Sequence, residues 1–153
     1  MLNIALIGYG GMGSYHAQCI GQAEKTAGVR LAGVYDIDPA RMRAAKEAGL
    51  HCFASAEEIW ADPSVGAALI ATPNDIHAEY VEKAAAAGKH IICEKPIGLS
   101  VAQAEEMYAA AERAGVVFAV HQNRRWDDDF LTVKNIVANG SVGDVYRVES
   151  RVL

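Results

Sequence analysis

Six short apolar runs, separated by stretches of helical period, constrain the fold of this chain more than any other feature of it. The runs are Leu2–Ile7, Val29–Tyr35, a short His51–Phe53, Val65–Ala71, His90–Cys93 and Val116–Val120. Their hydrophobicity is continuous rather than alternating, which is the pattern of strands covered on both faces. Helices are expected between and after them, near residues 11–25, 39–48, 56–61, 75–87, 101–114 and 128–139. Ser55 with Glu58 and Ser100 with Gln103 match the capping box, and Asp127, Asp128 and Asp129 sit where a helix N-terminus favours negative charge. Gly49, Gly88, Gly115 and Gly140 fall just past helices, as C-caps do. Val101, Ala104, Tyr108 and Ala111 recur on one face of the fifth helix, and Phe130, Val133 and Val137 on one face of the last. Such an alternation predicts an α/β fold, a doubly wound parallel sheet with right-handed crossovers.

The pattern holds to residue 140, so one α/β domain is expected over 1–140. Gly143-Asp144 then opens a run of different character, Val145 to Leu153, in which polar and apolar residues alternate strictly. Alternation marks a sheet with one wet face, and residues 141–153 are expected to start a second, α+β domain whose remainder is missing. A net charge of −5 without any basic cluster argues against a nucleic-acid partner. No apolar stretch approaches the roughly 20 residues of a membrane helix, and no signal segment precedes the first strand, so a cytoplasmic location is expected. Cys19, Cys52 and Cys93 are odd in number and scattered, which suggests buried free thiols rather than a zinc site or a disulfide framework.

Three strand tips carry candidate chemistry. After the first strand, Gly8-Tyr9-Gly10-Gly11-Met12-Gly13 satisfies the G-x-G-x-x-G spacing of a dinucleotide-binding Rossmann turn. Gly8 suits the tight turn, Gly10 lets the backbone approach a pyrophosphate, and Gly13 permits close packing under a helix whose N–H groups face the anion. A glycine-rich turn serving packing alone is the alternative. Asp36 ends the second strand, 23 residues past Gly13. Its carboxylate can accept both adenosine ribose hydroxyls and would repel a 2′-phosphate, which favours NAD over NADP. Arg41, a turn into the next helix, keeps NADP open, unless it is merely a solvated helix arginine. At the tip of the fourth run stand Thr72, Pro73 and Asn74, which either flank the nicotinamide half or form only a capped loop in which Asn74 or Asp75 caps the next helix. His77 shares a helix face with Tyr80, Val81 and Ala84, the place of a packed histidine rather than a catalytic one. Glu94-Lys95-Pro96 ends the fifth run. A lysine there can donate a proton at the sheet edge where such folds bind ligands, or can be an ordinary solvated side chain.

These segments, with Gln122-Asn123-Arg124-Arg125-Trp126 after the sixth run, resemble the Gfo/Idh/MocA oxidoreductases over nearly the whole chain. The resemblance implies a two-domain NAD(P)-dependent dehydrogenase acting on a small molecule, namely a sugar, polyol or related hydroxy compound. It implies Lys95 as the active-site lysine, Glu94 near the nicotinamide ribose and Arg125 reaching the substrate or nicotinamide. Arg124 and Trp126 join the cofactor site or hold the second domain, and His77 is counted among the cofactor-binding positions. The family's acid/base histidine lies in a second domain, through whose sheet its members form homo-oligomers, and no such segment is present here. A complete small protein that binds a dinucleotide without catalysis is the alternative.

Overall fold

A computed structural model describes residues 1–151, and in it five of the six apolar runs form strands. They are β1 (Leu2–Ile7), β2 (Val29–Tyr35), β3 (Ala67–Ile70), β4 (His90–Cys93) and β5 (Phe118–Val120). All pair in parallel, in the order β2-β1-β3-β4-β5. The run at His51–Phe53 is only a bridge, Cys52 pairing with Val34 at the outer edge of the sheet.

The helices are α1 (Gly11–Ala27), α2 (Pro39–Glu47), α3 (Ala56–Ala61), α4 (His77–Ala86), α5 (Val101–Ala114) and α6 (Asp128–Ala138). Strand period explains how both sheet faces are filled. Ala5 and Ile7, Ala68 and Ile70, and Ile91 and Cys93 point one way, onto Ile59, Val81, Ala84 and Met107 of α3, α4 and α5. Ile4, Leu6, Ala67 and Leu69 point the other way, onto Ala17 and Ile20 of α1 and Ala45 of α2. This is the expected doubly covered α/β sheet.

Local signals also hold. Ser55 Oγ accepts from the Glu58 N–H and Ser100 Oγ from the Gln103 N–H. The return bonds run one residue earlier than in the standard box, from the Ala54 and Leu99 N–H groups to Glu58 and Gln103. The four predicted C-cap glycines all adopt left-handed backbone. The predicted face of α5 is displaced: Val101 is exposed and Tyr108 half-exposed, while Met107 and Ala111 are buried. Tyr108 instead covers Phe118, ring centroids 4.8 Å apart. Away from the strand tips, the buried Lys89 donates from Nζ to the carbonyls of Asp62 (2.6 Å) and Val65 (2.9 Å), closing the loop that leads into β3.

The chain divides into two compact units, the first being Met1–His121 and the second beginning at Gln122. Helix α6, which the sequence assigns to the first domain, contributes no buried residue: Phe130, Val133 and Val137 are all exposed. The second unit holds a 3₁₀ turn, Asn123–Trp126, and α6. The alternating run forms no strand over residues 145–151, where no partner strand offers a ladder, and its last two positions, 152 and 153, lie outside the described residues. No helix among the described residues is long and apolar enough to cross a membrane.

Candidate functional site

Parallel pairing brings the C-terminal tips of the strands to one edge, and backbone hydrogen bonds carry the alignment past the strand ends. Gly8 N–H donates to Tyr35 O, Ala71 N–H to Ile7 O, Glu94 N–H to Ile70 O and His121 N–H to Cys93 O, at 2.8–2.9 Å. Successive candidate segments are thereby fixed side by side. The chain runs from β1 outward to β2 on one side and resumes at β3 on the other side of β1, which puts the switch point of the sheet at the tips of β1 and β3.

The glycine loop is built as its spacing predicts. Gly8 has φ +94°, and a Cβ there would sit 2.5 Å from Ala71 O. A Cβ on Gly13 would sit 1.9 Å from Gly8 O, so only glycine lets α1 start this close to the turn. Helix α1 begins at Gly11 with no side-chain cap, which leaves the backbone of Gly11, Met12 and Gly13 as its only N-terminal donors.

Asp36 is buried and organises the loop. Its Oδ2 accepts the Tyr9 N–H at 2.7 Å and its Oδ1 the Asp38 N–H at 2.8 Å. Arg41 turns back toward it, with Nη1 3.4 Å from Asp36 Oδ2 and Nε 3.8 Å from Asp38 Oδ2, and lies over Gly10. Arg41 is therefore no free helix arginine. Asp36, Arg41 and Gly8 share a cavity of about 250 Å³ with Thr72, Pro73, Ile76 and Tyr80. A wider groove of about 540 Å³ backs onto the same carboxylate across α2 but meets neither the glycine loop nor Thr72. The smaller cavity, where polar groups converge, is the better ligand site.

Neither Asn74 nor Asp75 caps α4, so the alternative of a merely capped loop is not realised. A 3₁₀ turn, Asn74–Ile76, intervenes, and α4 starts at His77 without a side-chain cap. His77 is fully buried, its Nδ1 3.1 Å from Pro96 O and its Nε2 2.9 Å from Thr72 O. A neutral ring donates to one of these carbonyls at a time. The imidazole lies between the Thr72 loop and the Lys95 loop with one ring nitrogen at a carbonyl of each.

Lys95 is exposed at the tip of β4, and its Nζ has no hydrogen-bond or ion-pair partner among the described residues. Its neighbour behaves otherwise. Glu94 is buried, with Oε1 accepting from His16 Nε2 (2.6 Å) and His121 Nδ1 (2.9 Å), and Oε2 from the Lys95 N–H (3.1 Å). Both oxygens are engaged by the protein. Burial pushes its carboxyl up, but the hydrogen bonds from His16 and His121, with the charge of His121 and the Lys95 N–H, outweigh it and hold the group below the usual carboxylate range. An unfolded glutamate titrates near 4.3. Glu94 therefore contributes stability that is fully present above that pH and is lost as the pH falls through its lower folded value. Thermal unfolding of Glu94→Gln should show a deficit against the native protein at neutral pH that closes below about pH 4; a deficit independent of pH would exclude Glu94 as its source.

His16 and His121 are the site residues that the motif reading missed. His16 lies on the buried face of α1 with Gly13, Ala17 and Ile20, and a histidine on such a stripe was the available signal. Cys93 is buried, and burial followed by the Glu94 charge pushes its thiol up to about 12, as for an inert core thiol. Cys19 and Cys52 are only partly buried. In the second unit Arg124, Arg125 and Trp126 are exposed, and Arg124 Nη1 pairs with Asp127 Oδ2 at 2.8 Å.

Comparison with known proteins agrees with this geometry. Residues 2–122 match the Gfo/Idh/MocA family, an oxidoreductase family with an NAD-binding Rossmann fold. Myo-inositol 2-dehydrogenase of Thermotoga maritima is 32% identical over 154 residues, which cover 98% of this chain and 45% of that protein. The crystal structure of an NAD-binding protein from Listeria innocua is 40% identical and superposes with a TM-score of 0.89, covering 94% of this chain and 40% of the other. GenD2 from gentamicin A biosynthesis, solved in complex with NAD, is 30% identical with a TM-score of 0.83, covering 92% and 40%. The chain spans less than half the length of these relatives.

Proposed function

The chain belongs to the Gfo/Idh/MocA oxidoreductase family and carries its NAD(P)-binding Rossmann domain, and from this we propose that it is the cofactor half of a dehydrogenase acting on a sugar, a polyol or a related hydroxy compound. The observation that carries the reading is the convergence of the glycine loop, Asp36, the Thr72-Pro73 tip and Lys95 on one sheet edge. The residues fit the cofactor. The uncapped N-terminus of α1 receives the pyrophosphate beside Gly10 and Gly11, in a cradle that a side chain at Gly8 or Gly13 would fill. Asp36 holds the adenosine ribose, with Arg41 and Thr72 at the walls of the same cavity.

When bound, the nicotinamide supplies the hydride chemistry. The protein's own contribution is positional and electrostatic. Lys95, whose Nζ has no partner among the described residues, polarises the substrate oxygen and carries charge as the substrate's proton leaves. Thr72 and Pro73 flank the nicotinamide side, and His77 packs between them and the Lys95 loop. Arg125 reaches the substrate, while Arg124 and Trp126 support the cofactor or the rest of the protein. The acid/base group and the substrate walls come from a second domain, with homo-oligomers formed through its sheet. A screen of sugars and polyols for NAD⁺ reduction by the full-length protein tests this reading. Turnover of at least one member is expected, and tight cofactor binding with turnover of none would overturn the substrate class.

A further inference from the structure

We propose that His16 and His121 are positioning residues for Lys95, acting through Glu94 as a clamp of two imidazole donors on one carboxylate oxygen. The inference rests on the role given to Lys95 above, but its geometry stands by itself. Three donors from three parts of the fold converge on a single buried carboxylate: His16 from α1, His121 from the tip of β5 and the peptide N–H of Lys95. The side chains of His16 and Glu94 are 8% and 6% exposed, and that of His121 29%. The two rings meet edge to face with centroids 4.7 Å apart.

The consequence is mechanical. Glu94 Oε2 fixes the peptide plane from which the Lys95 side chain leaves, and Oε1 fixes Glu94 to the helix that starts at the glycine loop. A buried carboxylate that loses a donor must find another partner or move toward water. Either movement turns the Lys95 peptide. The clamp thus joins the pyrophosphate helix to the lysine, 78 residues apart in sequence between His16 and Glu94, through one hydrogen-bonded oxygen.

The two histidines use different nitrogens, Nε2 in His16 and Nδ1 in His121, and this supplies the test. In the full-length enzyme, His16→Ala and His121→Ala are each expected to lower kcat by about 10- to 100-fold, as loss of a supporting hydrogen bond typically does, with NADH affinity within about threefold. His16→Gln and His121→Asn place an amide N–H where each imidazole donor stood, and are expected to recover most of that loss. In the native protein, long-range ¹H–¹⁵N NMR should find protons on Nε2 of His16 and Nδ1 of His121, both shifted by Glu94→Gln. This spectrum reads the clamp even if an alanine variant fails to fold. Unchanged kcat in both alanine variants, amide variants no better than alanine, or the opposite tautomers would overturn the proposal. So would one tightly bound Zn²⁺ per native chain that His16→Ala abolishes, since the three ligand atoms lie within 4.8 Å of one another and the cluster would then be a metal site. Failure of the Lys95 assignment is distinguishable: Lys95→Ala would retain its turnover while the histidine protons stayed in place.

Discussion

Replacing Lys95 by alanine in the full-length protein is expected to lower kcat by about 10²- to 10⁴-fold, the usual range for a positioned proton-transfer group, while NADH affinity stays within about threefold of the native value. Both halves of this expectation follow from the placement of the side chain. Its Nζ makes no hydrogen bond or ion pair within the described residues, so truncation leaves no orphaned partner and removes nothing from the core. The groups that hold the strand tip are Glu94, through the Lys95 backbone N–H, and His77, through Pro96 O, and neither depends on the lysine side chain. Steady-state kinetics together with a fluorescence titration of NADH separate the outcomes. A collapse of cofactor affinity with kcat preserved would make Lys95 a binding residue.

Asp36 carries the second large effect. NADH is expected to bind at least about tenfold more tightly than NADPH, and Asp36→Asn to erase most of that preference, because like charge at hydrogen-bonding distance costs more than 1 kcal/mol in a partly buried site. The lone pairs of the carboxylate are already partly committed. An ionised carboxylate offers about four acceptor positions; the Tyr9 and Asp38 N–H groups occupy two of them, and the long bond from Arg41 Nη1, at 3.4 Å, takes a third that a ribose hydroxyl would displace. The remaining capacity matches a ribose diol and leaves nothing to welcome a 2′-phosphate except Arg41, which is drawn toward Asp36 and Asp38. Parallel fluorescence titrations of the two reduced cofactors decide the matter, and equal or reversed affinities in the native protein would remove Asp36 as the discriminator.

The sheet was legible in the sequence because burial on both faces leaves a strand nothing but apolar residues to show. The His51–Phe53 run failed as a strand at the outer edge, where only Cys52 finds a partner in Val34. Helix faces were less secure. On α5, Val101 stands at the first helical position and remains exposed, and the unbranched Met107, which the apolar count passed over, fills the core. The glycine loop and Asp36 were legible because their chemistry depends on local spacing. The Glu94 cluster was not, since its members come from positions 16, 94 and 121 and meet only through the order of strands in the sheet. His77 was read correctly as packed from its helix face, but the carbonyls that hold it, at Thr72 and Pro96, belong to two different loops.

The ladder bonds that run past the ends of the strands give the molecule a polarity useful to the engineer. Every residue of the first unit assigned to cofactor or substrate lies on the rim where those bonds end, and the turns that lead from helices back into strands lie on the rim opposite. Gly115 sits in such a turn, exposed with open space around it, and its left-handed φ of +67° calls for an insertion beside it that keeps the glycine. A fluorescent reporter or an affinity handle grafted there would travel with the sheet while leaving the dinucleotide edge untouched, which makes this domain a natural starting scaffold for a sensor of cellular redox state.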